Sequence, residues 1–154
     1  TMDRRLFVLD EKVYSNADLS QPLAPSDAVG KFLDFLEHNR KEWGLARDVF
    51  IDCADQATIM ELKKWKRLHG SLYTFNDSYK KVEILDRIKF MLGWIQQGCY
   101  LVVDECPEHL AELEKYSWKE DKDEPEDRND HTINASQYGW IPYRSMIGFE
   151  EDKK

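Results

Sequence analysis

Cysteine is scarce and odd in number: Cys53, Cys99 and Cys106 are the only three in 154 residues, and no two form a C-x-x-C pair. This excludes a disulfide framework and a zinc knuckle, and reduced, partly buried thiols are expected. No apolar run approaches the roughly 18 residues that span a bilayer, and the N-terminus lacks the charged, apolar and small-residue succession of a signal peptide. No membrane partner is expected, and the chain reads as cytoplasmic. Also missing are G-x-x-x-x-G-K-[ST], G-x-G-x-x-G and G-x-S-x-G, which leaves nucleotide hydrolysis, dinucleotide binding and a serine elbow without support. Positive charge is in deficit too. A formal net charge of −8 argues against simple electrostatic adhesion to nucleic acid. It does not exclude a nucleic-acid enzyme, because carboxylates that hold divalent metals add negative charge locally.

The length suits a single domain, residues 1–148, with a frayed charged tail at 149–154. Leu6 to Tyr14 reads as a strand, Ser15 to Pro25 as a loop, and Ser26 or Asp27 as the cap of a helix that buries Val29, Phe32, Leu33 and Leu36 and stops near Gly44. Val49 to Asp52 is a short strand. Gln56 to Leu68 is a helix with Ile59, Leu62 and Trp65 toward the core, ended by Gly70. Ser71 to Phe75 reads as a strand, and Asn76 to Ser78 as a turn into a long helix striped by Ile84, Ile88, Met91 and Ile95 and closed by Gly98. Cys99 to Val103 is a further strand. Pro107 opens a helix anchored by Leu110 and Leu113, and 119–130 is a charged loop. The last helix, from about Asp130, carries Ile133, Ala135 and Tyr138 before Pro142. Strands alternating with helices make an α/β chain whose later strands can be parallel.

Two stretches carry chemistry. Val49 to Asp55 changes abruptly from an apolar strand to an acidic turn, which places Asp52 at a strand end, where α/β folds bind ligands. Capping of the next helix by Asp52 or Asp55 explains the same acids without any chemistry. In the second stretch, Asp127 to Tyr138, His131 and Asn134 are three apart and share a helix face, so both side chains can point at one ion. A histidine beside Asn and Asp at a helix start is also what an ordinary solvated turn looks like.

Together these pieces resemble a known family. Ile51-Asp-Cys-Ala-Asp-Gln-Ala-Thr-Ile59 is similar to the Asp-Ser-Ala-Glu-Pro-Lys-Ser-Ile stretch of the nuclease domain of the large terminase subunit of tailed bacteriophages and related prophages. Lys80 to Met91 resembles that family's Lys-Gly stretch before an isoleucine-rich helix, and Glu112 to Trp118 its Glu-Tyr-Trp pattern. His131-Thr-Ile-Asn-Ala-Ser-Gln-Tyr138 resembles its His-Ala-Ile-Asp-Ala-Leu-Arg-Tyr signature, and the pieces occur in the same order. The resemblance implies a ribonuclease H-like fold, a mixed central sheet flanked by helices. It also implies an endonuclease that cuts concatemeric double-stranded DNA during packaging.

Carried over by position, the resemblance makes Asp52, His131 and Asn134 the catalytic and metal-binding residues, with Mn2+ or Mg2+ as cofactor and Mn2+ favoured. Asn134 stands where the family has a third acid and Gln137 where it has arginine, while the family's first acid lies on a strand that would precede Leu6. Those departures keep a second reading open, a catalytically weakened docking or DNA-binding module of the packaging motor. The implied partners are double-stranded DNA, the terminase ATPase domain, the small terminase subunit and the portal, in the host cytoplasm. Lys63, Lys64, Lys66 and Arg67, joined by Lys80 and Lys81, form the candidate DNA-facing patch. Lysines on the outer face of an amphipathic helix are otherwise simply solvated.

Overall fold

In the computed structural model, residues 3–14, 20–78, 81–116 and 130–149 are described. The elements run β1 (Leu6–Val8), α1 (Pro25–Trp43), β2 (Asp48–Ile51), α2 (Gln56–His69), β3 (Thr74–Asp77), α3 (Ile84–Gln96), β4 (Tyr100–Val102), α4 (Pro107–Lys115) and α5 (His131–Trp140), with a 3₁₀ turn at Ile141–Met146. The chain divides into two compact units, one of residues 12–78 and one formed by 1–11 with 79–154. The α/β class expected from the alternation stands. Pairing among the described strands gives two separate two-stranded parallel ladders, β1 with β4 and β2 with β3. Among the described residues no helix is long and apolar enough to cross a membrane.

In the unit of residues 12–78, β2 and β3 align Val49 with Phe75, and both side chains are buried with Val29, Leu36, Leu62 and Tyr73. Enclosing a side chain such as Leu62 or Ile59 contributes roughly 1.5–3 kcal/mol, and these two fix the inner face of α2. Its ends are set locally: Asp55 accepts from the Thr58 N–H at 3.1 Å, and Gly70 closes the helix in the left-handed region, its N–H on the Lys66 carbonyl at 2.9 Å. For α1 the expected Ser26 or Asp27 cap is not used. Proline starts the helix instead, Pro25 sitting at the first position after an extended Ala24 that makes no side-chain cap, while Asp27 lies in the first turn. β3 begins three residues later than expected and takes in Asn76 and Asp77, because its register with β2 runs from Thr74 beside Asp48 to Asp77 beside Ile51, while before it Tyr73 N donates back to Ser71 Oγ at 3.0 Å.

In the other unit, β1 is three residues long rather than nine, since the chain beyond Val8 turns to other work: both Glu11 carboxylate oxygens accept from the N-terminus of α4, from Glu108 N at 2.6 Å and His109 N at 2.9 Å. Met91, Trp94, Cys99, Tyr100, Ile133, Trp140 and Ile141 form the core, with Trp94 set edge-on to Trp140 at 4.8 Å. The stripe predicted on α3 is rotated. Ile88 and Met91 are enclosed, but Ile84 is 55% and Ile95 40% exposed, and the buried face runs instead through Arg87 and Trp94. On α5, Ile133 is buried as expected while Ala135 is exposed, and Gln137 and Trp140 complete the inner face. Phe149, expected to fray, is held by the Gln97 side chain through both its N–H at 2.9 Å and its carbonyl at 3.1 Å; the rest of the tail, and the charged loop apart from Asp130, lie outside the described residues.

Candidate functional site

Asp52 follows β2 directly, at the carboxyl end of a parallel strand. Its Oδ1 accepts from Ala54 N at 3.0 Å and its carbonyl from Asp55 N at 2.9 Å, so residues 52–55 fold into a tight turn. That turn delivers Asp55, not Asp52, to the cap of α2. β3 pins it: Ser78 N donates to the Ile51 carbonyl at 2.7 Å, and Ser78 Oγ accepts from Cys53 N at 3.1 Å. The strand register sets Asp77 beside Ile51, with its carboxylate 3.7 Å from Lys63 Nζ. The two acidic roles left open by the sequence are thus divided: Asp55 caps, and Asp52 is a half-buried acid at a strand end.

His131 and Asn134 belong to the other unit. His131 is the exposed first residue of α5, and Asn134 is half-buried one turn later, its N–H on the Asp130 carbonyl at 2.8 Å. Asp130, the residue before the helix, makes no side-chain cap. The task passes to Glu112 on α4, whose Oε2 accepts from Thr132 N at 2.9 Å, Ile133 N at 3.1 Å and Thr132 Oγ1 at 2.5 Å. A carboxylate there satisfies N–H groups that lack intrahelical partners and meets the positive end of the helix dipole. Thr132 Oγ1 also lies 2.9 Å from Nδ1 of the buried His109, whose Nε2 is 2.8 Å from the Tyr100 hydroxyl.

Hydrogen bookkeeping fixes the tautomer of His109. Thr132 gives its hydroxyl hydrogen to Glu112, so it can only accept from His109 Nδ1–H; neutral Nε2 then accepts from Tyr100. Burial holds the Tyr100 hydroxyl protonated, with its pKa pushed up to about 12. No motif in the sequence marks Glu112, His109 or Thr132 as functional residues. The signal available was indirect and partial: Cys106, at the start of α4, is a poor cap by residue type, so that helix needs an acceptor from elsewhere, whereas Asp130 is of a type that caps and only the structure shows that its side chain does not.

Burial pushes the His109 pKa below its ordinary 6.5, against the opposing pull of Glu112 and Glu11. The unfolded chain therefore binds the proton more readily than the folded one. Stability from this site is complete above pH 6.5, the unfolded value, and is lost as the pH falls through the lower folded value. The other three histidines, His38, His69 and His131, are not buried as His109 is. Urea midpoints are expected to fall between about pH 6.5 and pH 5, before carboxylates titrate, and His109→Gln to flatten that slope. An unchanged slope in the variant would remove His109 from the account.

Of the basic cluster, Lys63, Lys64 and Arg67 are exposed and Lys66 is half-buried. Lys63 is drawn toward Asp77, and Trp65 packs against the core with its ring stacked 5.0 Å from that of His69. Lys81 is exposed, and Lys80 lies outside the described residues. Among the described residues no group of three or more His, Cys, Asp or Glu side chains is placed to hold a metal ion.

No protein-family model matches the sequence, and no curated protein does. Solved structures do. The large terminase from a thermophilic bacteriophage, in complex with ADP, aligns with a TM-score of 0.72 at 20% identity, over 88% of this chain and 33% of that one. A second structure of the same terminase gives 0.73 at 19% identity, over 91% and 34%. Its complex with ATP-gamma-S gives 0.73 at 20% identity, over 89% and 33%. The fold is therefore terminase-like, and the chain spans about a third of the terminase it matches.

Proposed function

We propose that this chain is the ribonuclease H-like nuclease domain of a large terminase subunit, a divalent-metal-dependent endonuclease acting on concatemeric double-stranded DNA. The observation that carries the reading is a terminase-like fold in which Asp52 emerges at the carboxyl end of the parallel strand β2. In this proposal Asp52 supplies a carboxylate to the metal, His131 an imidazole nitrogen and Asn134 an amide oxygen. When bound, the metal polarises phosphoryl oxygens and lowers the pKa of its water. The donor set is a lean one: one carboxylate, one imidazole and one amide fall short of the oxygen shell that magnesium demands, so manganese is the better fit. Lys63, Lys64, Lys66 and Arg67, with Lys81, are the residues proposed to face the DNA. The ATPase domain, the small subunit and the portal are the partners proposed for the packaging motor, in the host cytoplasm.

Neutral Asn134, where the family carries an acid, is what favours the second reading, a weakened docking module. Titration calorimetry with manganese separates the two. Asn134→Asp adds a charge at nearly unchanged volume and is expected to tighten manganese about tenfold, or about 1.4 kcal/mol. Asp52→Asn in the same protein is expected to cancel the gain. Indistinguishable affinities in all three proteins would leave the docking module standing and remove Asn134 from any metal site.

A further inference from the structure

We propose that the outer edge of β4 is a docking site for an extended segment of a partner protein, which pairs with it as an added strand and sets its alternate apolar side chains in the groove alongside. The ladder register decides which backbone groups that edge presents. Leu6 and Val8 lie beside Tyr100 and Val102, with Leu6 N on the Cys99 carbonyl at 2.7 Å and Val103 N on the Val8 carbonyl at 3.1 Å. Evenly spaced parallel bonds of this phase turn both backbone groups of Leu101 toward β1. Those of Tyr100 and Val102 point the other way, where no strand pairs with β4 among the described residues. Tyr100 is only 7% exposed and Val102 is half-buried, and backbone groups in such places are nearly always paired.

Beside β4 runs an apolar groove of about 450 Å³, formed wholly within the unit of residues 1–11 and 79–154. Tyr100, Leu101 and Val102 line it from β4, Leu92 and Ile95 from α3, and Leu110 and Leu113 from α4. Apolar surface is left open to it: Ile95 is 40% exposed, and the four leucines are half-buried rather than enclosed. The strand edge and the apolar walls therefore belong to one concave surface.

That combination selects the occupant. A helix or a small apolar molecule fills such a groove but offers no row of backbone donors and acceptors to Tyr100 and Val102. An extended segment offers both at the spacing of a strand, and its alternate side chains enter the apolar walls. Glu114 is the one charged side chain lining the groove, so the segment carries Lys or Arg where it passes. A second copy of this chain is a poor fit. Its own β4 edge is flanked by α3 and α4 in the same way, and the outer edge of its β1 presents only the backbone groups of Phe7. What fits is a segment free of flanking helices, and the three residues of β4 set how much of it pairs. This inference does not depend on the nuclease reading.

Amide hydrogen exchange of the full chain reads the edge before any partner is added. Leu101 and Val103 are expected to be protected, and Tyr100 and Val102 to exchange at least tenfold faster. A pool of random hexapeptides is then selected on the protein, and the best binder is synthesised and titrated. It is expected to alternate apolar residues, to carry Lys or Arg, and to slow exchange at Tyr100 and Val102 at least tenfold. Its affinity should fall at least tenfold in Ile95→Lys and a few-fold in Glu114→Gln. N-methylation of one alternate set of its backbone amides should abolish binding, while methylation of the other set is tolerated. Slow exchange at Tyr100 and Val102 in the free protein overturns the proposal, because the edge is then already covered, by a second copy if the protection grows with protein concentration. A pool that yields no binder also overturns it. So does a binder indifferent to both methylation patterns, which would leave the groove to apolar side chains or small molecules alone. Should Ile95→Lys not fold, exchange in the wild type and the methylated peptides decide.

Discussion

Glu112→Ala is expected to lower the unfolding free energy by about 3 kcal/mol, a large share of the roughly 5–15 kcal/mol that holds a domain folded. One oxygen of this half-buried carboxylate accepts three hydrogen bonds, two from the first turn of α5 and one from Thr132 Oγ1. Hydrogen bonds to a charged group are each worth about 1.5–3 kcal/mol, and donors abandoned in the interior cost their full desolvation. These terms overlap, so their sum exceeds the expected loss. Thr132 is also the acceptor for His109, and the damage therefore travels to Tyr100. Glu112→Gln, which keeps an acceptor without the charge, should fall between. The exposed Glu114→Ala on the same helix should stay within about 0.5 kcal/mol. Urea denaturation of the three variants is the measurement, and equal losses at 112 and 114 would refute the capping role. Since α5 begins with His131 and carries Asn134, any metal affinity of that turn should weaken along with stability.

Gly148→Ala is expected to cost roughly 2–4 kcal/mol, combining a left-handed backbone penalty with overpacking. Gly148 has φ +71°, and a Cβ there would lie 2.4 Å from Trp94 Cδ1, 2.7 Å from its Nε1 and 2.8 Å from Gln97 Oε1. Neither neighbour can withdraw cheaply. The Trp94 ring is 5% exposed and wedged edge-on against Trp140, and the Gln97 amide holds both backbone groups of Phe149. The glycine itself is fixed by a reciprocal pair with Arg4, Gly148 N on the Arg4 carbonyl at 2.8 Å and Arg4 Nε on the Gly148 carbonyl at 2.5 Å. Gly70, with φ +65° in the left-handed region and open space around it, isolates the backbone part. Gly70→Ala should therefore cost about 1–2 kcal/mol, and the difference in denaturation midpoints between the two variants measures the clash. Equal costs would mean that Trp94 gives way.

Elements punctuated locally were legible from the residues. α2 is bounded by the Asp55 cap and a left-handed Gly70, both chemical requirements of the sequence itself, and Ile59 and Leu62 face inward as their spacing demands. α3 shows where such reasoning stops. Ile84, Ile88, Met91 and Ile95 fit one helical stripe, and Arg87, Ile88, Met91 and Trp94 fit another slightly rotated from it. Periodicity cannot choose between them; Trp140, some forty-five positions on, does. The site divides in the same way. Asp52 at a strand end followed from one abrupt change of residue type, and the division of labour with Asp55 is visible in hydrogen bonds that the sequence leaves open. The Tyr100, His109, Thr132 and Glu112 chain joins three elements, and no single stretch of sequence announces it.

The β1–β4 ladder has a consequence for how this polypeptide is made. Its register joins Leu6 to Tyr100, so β1, once it has left the ribosome, has no β4 to pair with until nearly a hundred further residues have been synthesised. Everything that pairs β2 with β3 lies between them in the chain and is complete by Ser78. During translation both strands of the interior unit are therefore present before β4 is, and Leu6, Phe7 and Val8 wait for that partner. Closing so long a span costs little more entropy than a span half as long, about 0.6 kcal/mol per doubling. The delay is what matters: a short apolar strand left unpaired is open to the wrong partner. Its brevity, with Arg4 and Arg5 before it and Asp10 and Glu11 after it, keeps the waiting segment charged at both ends.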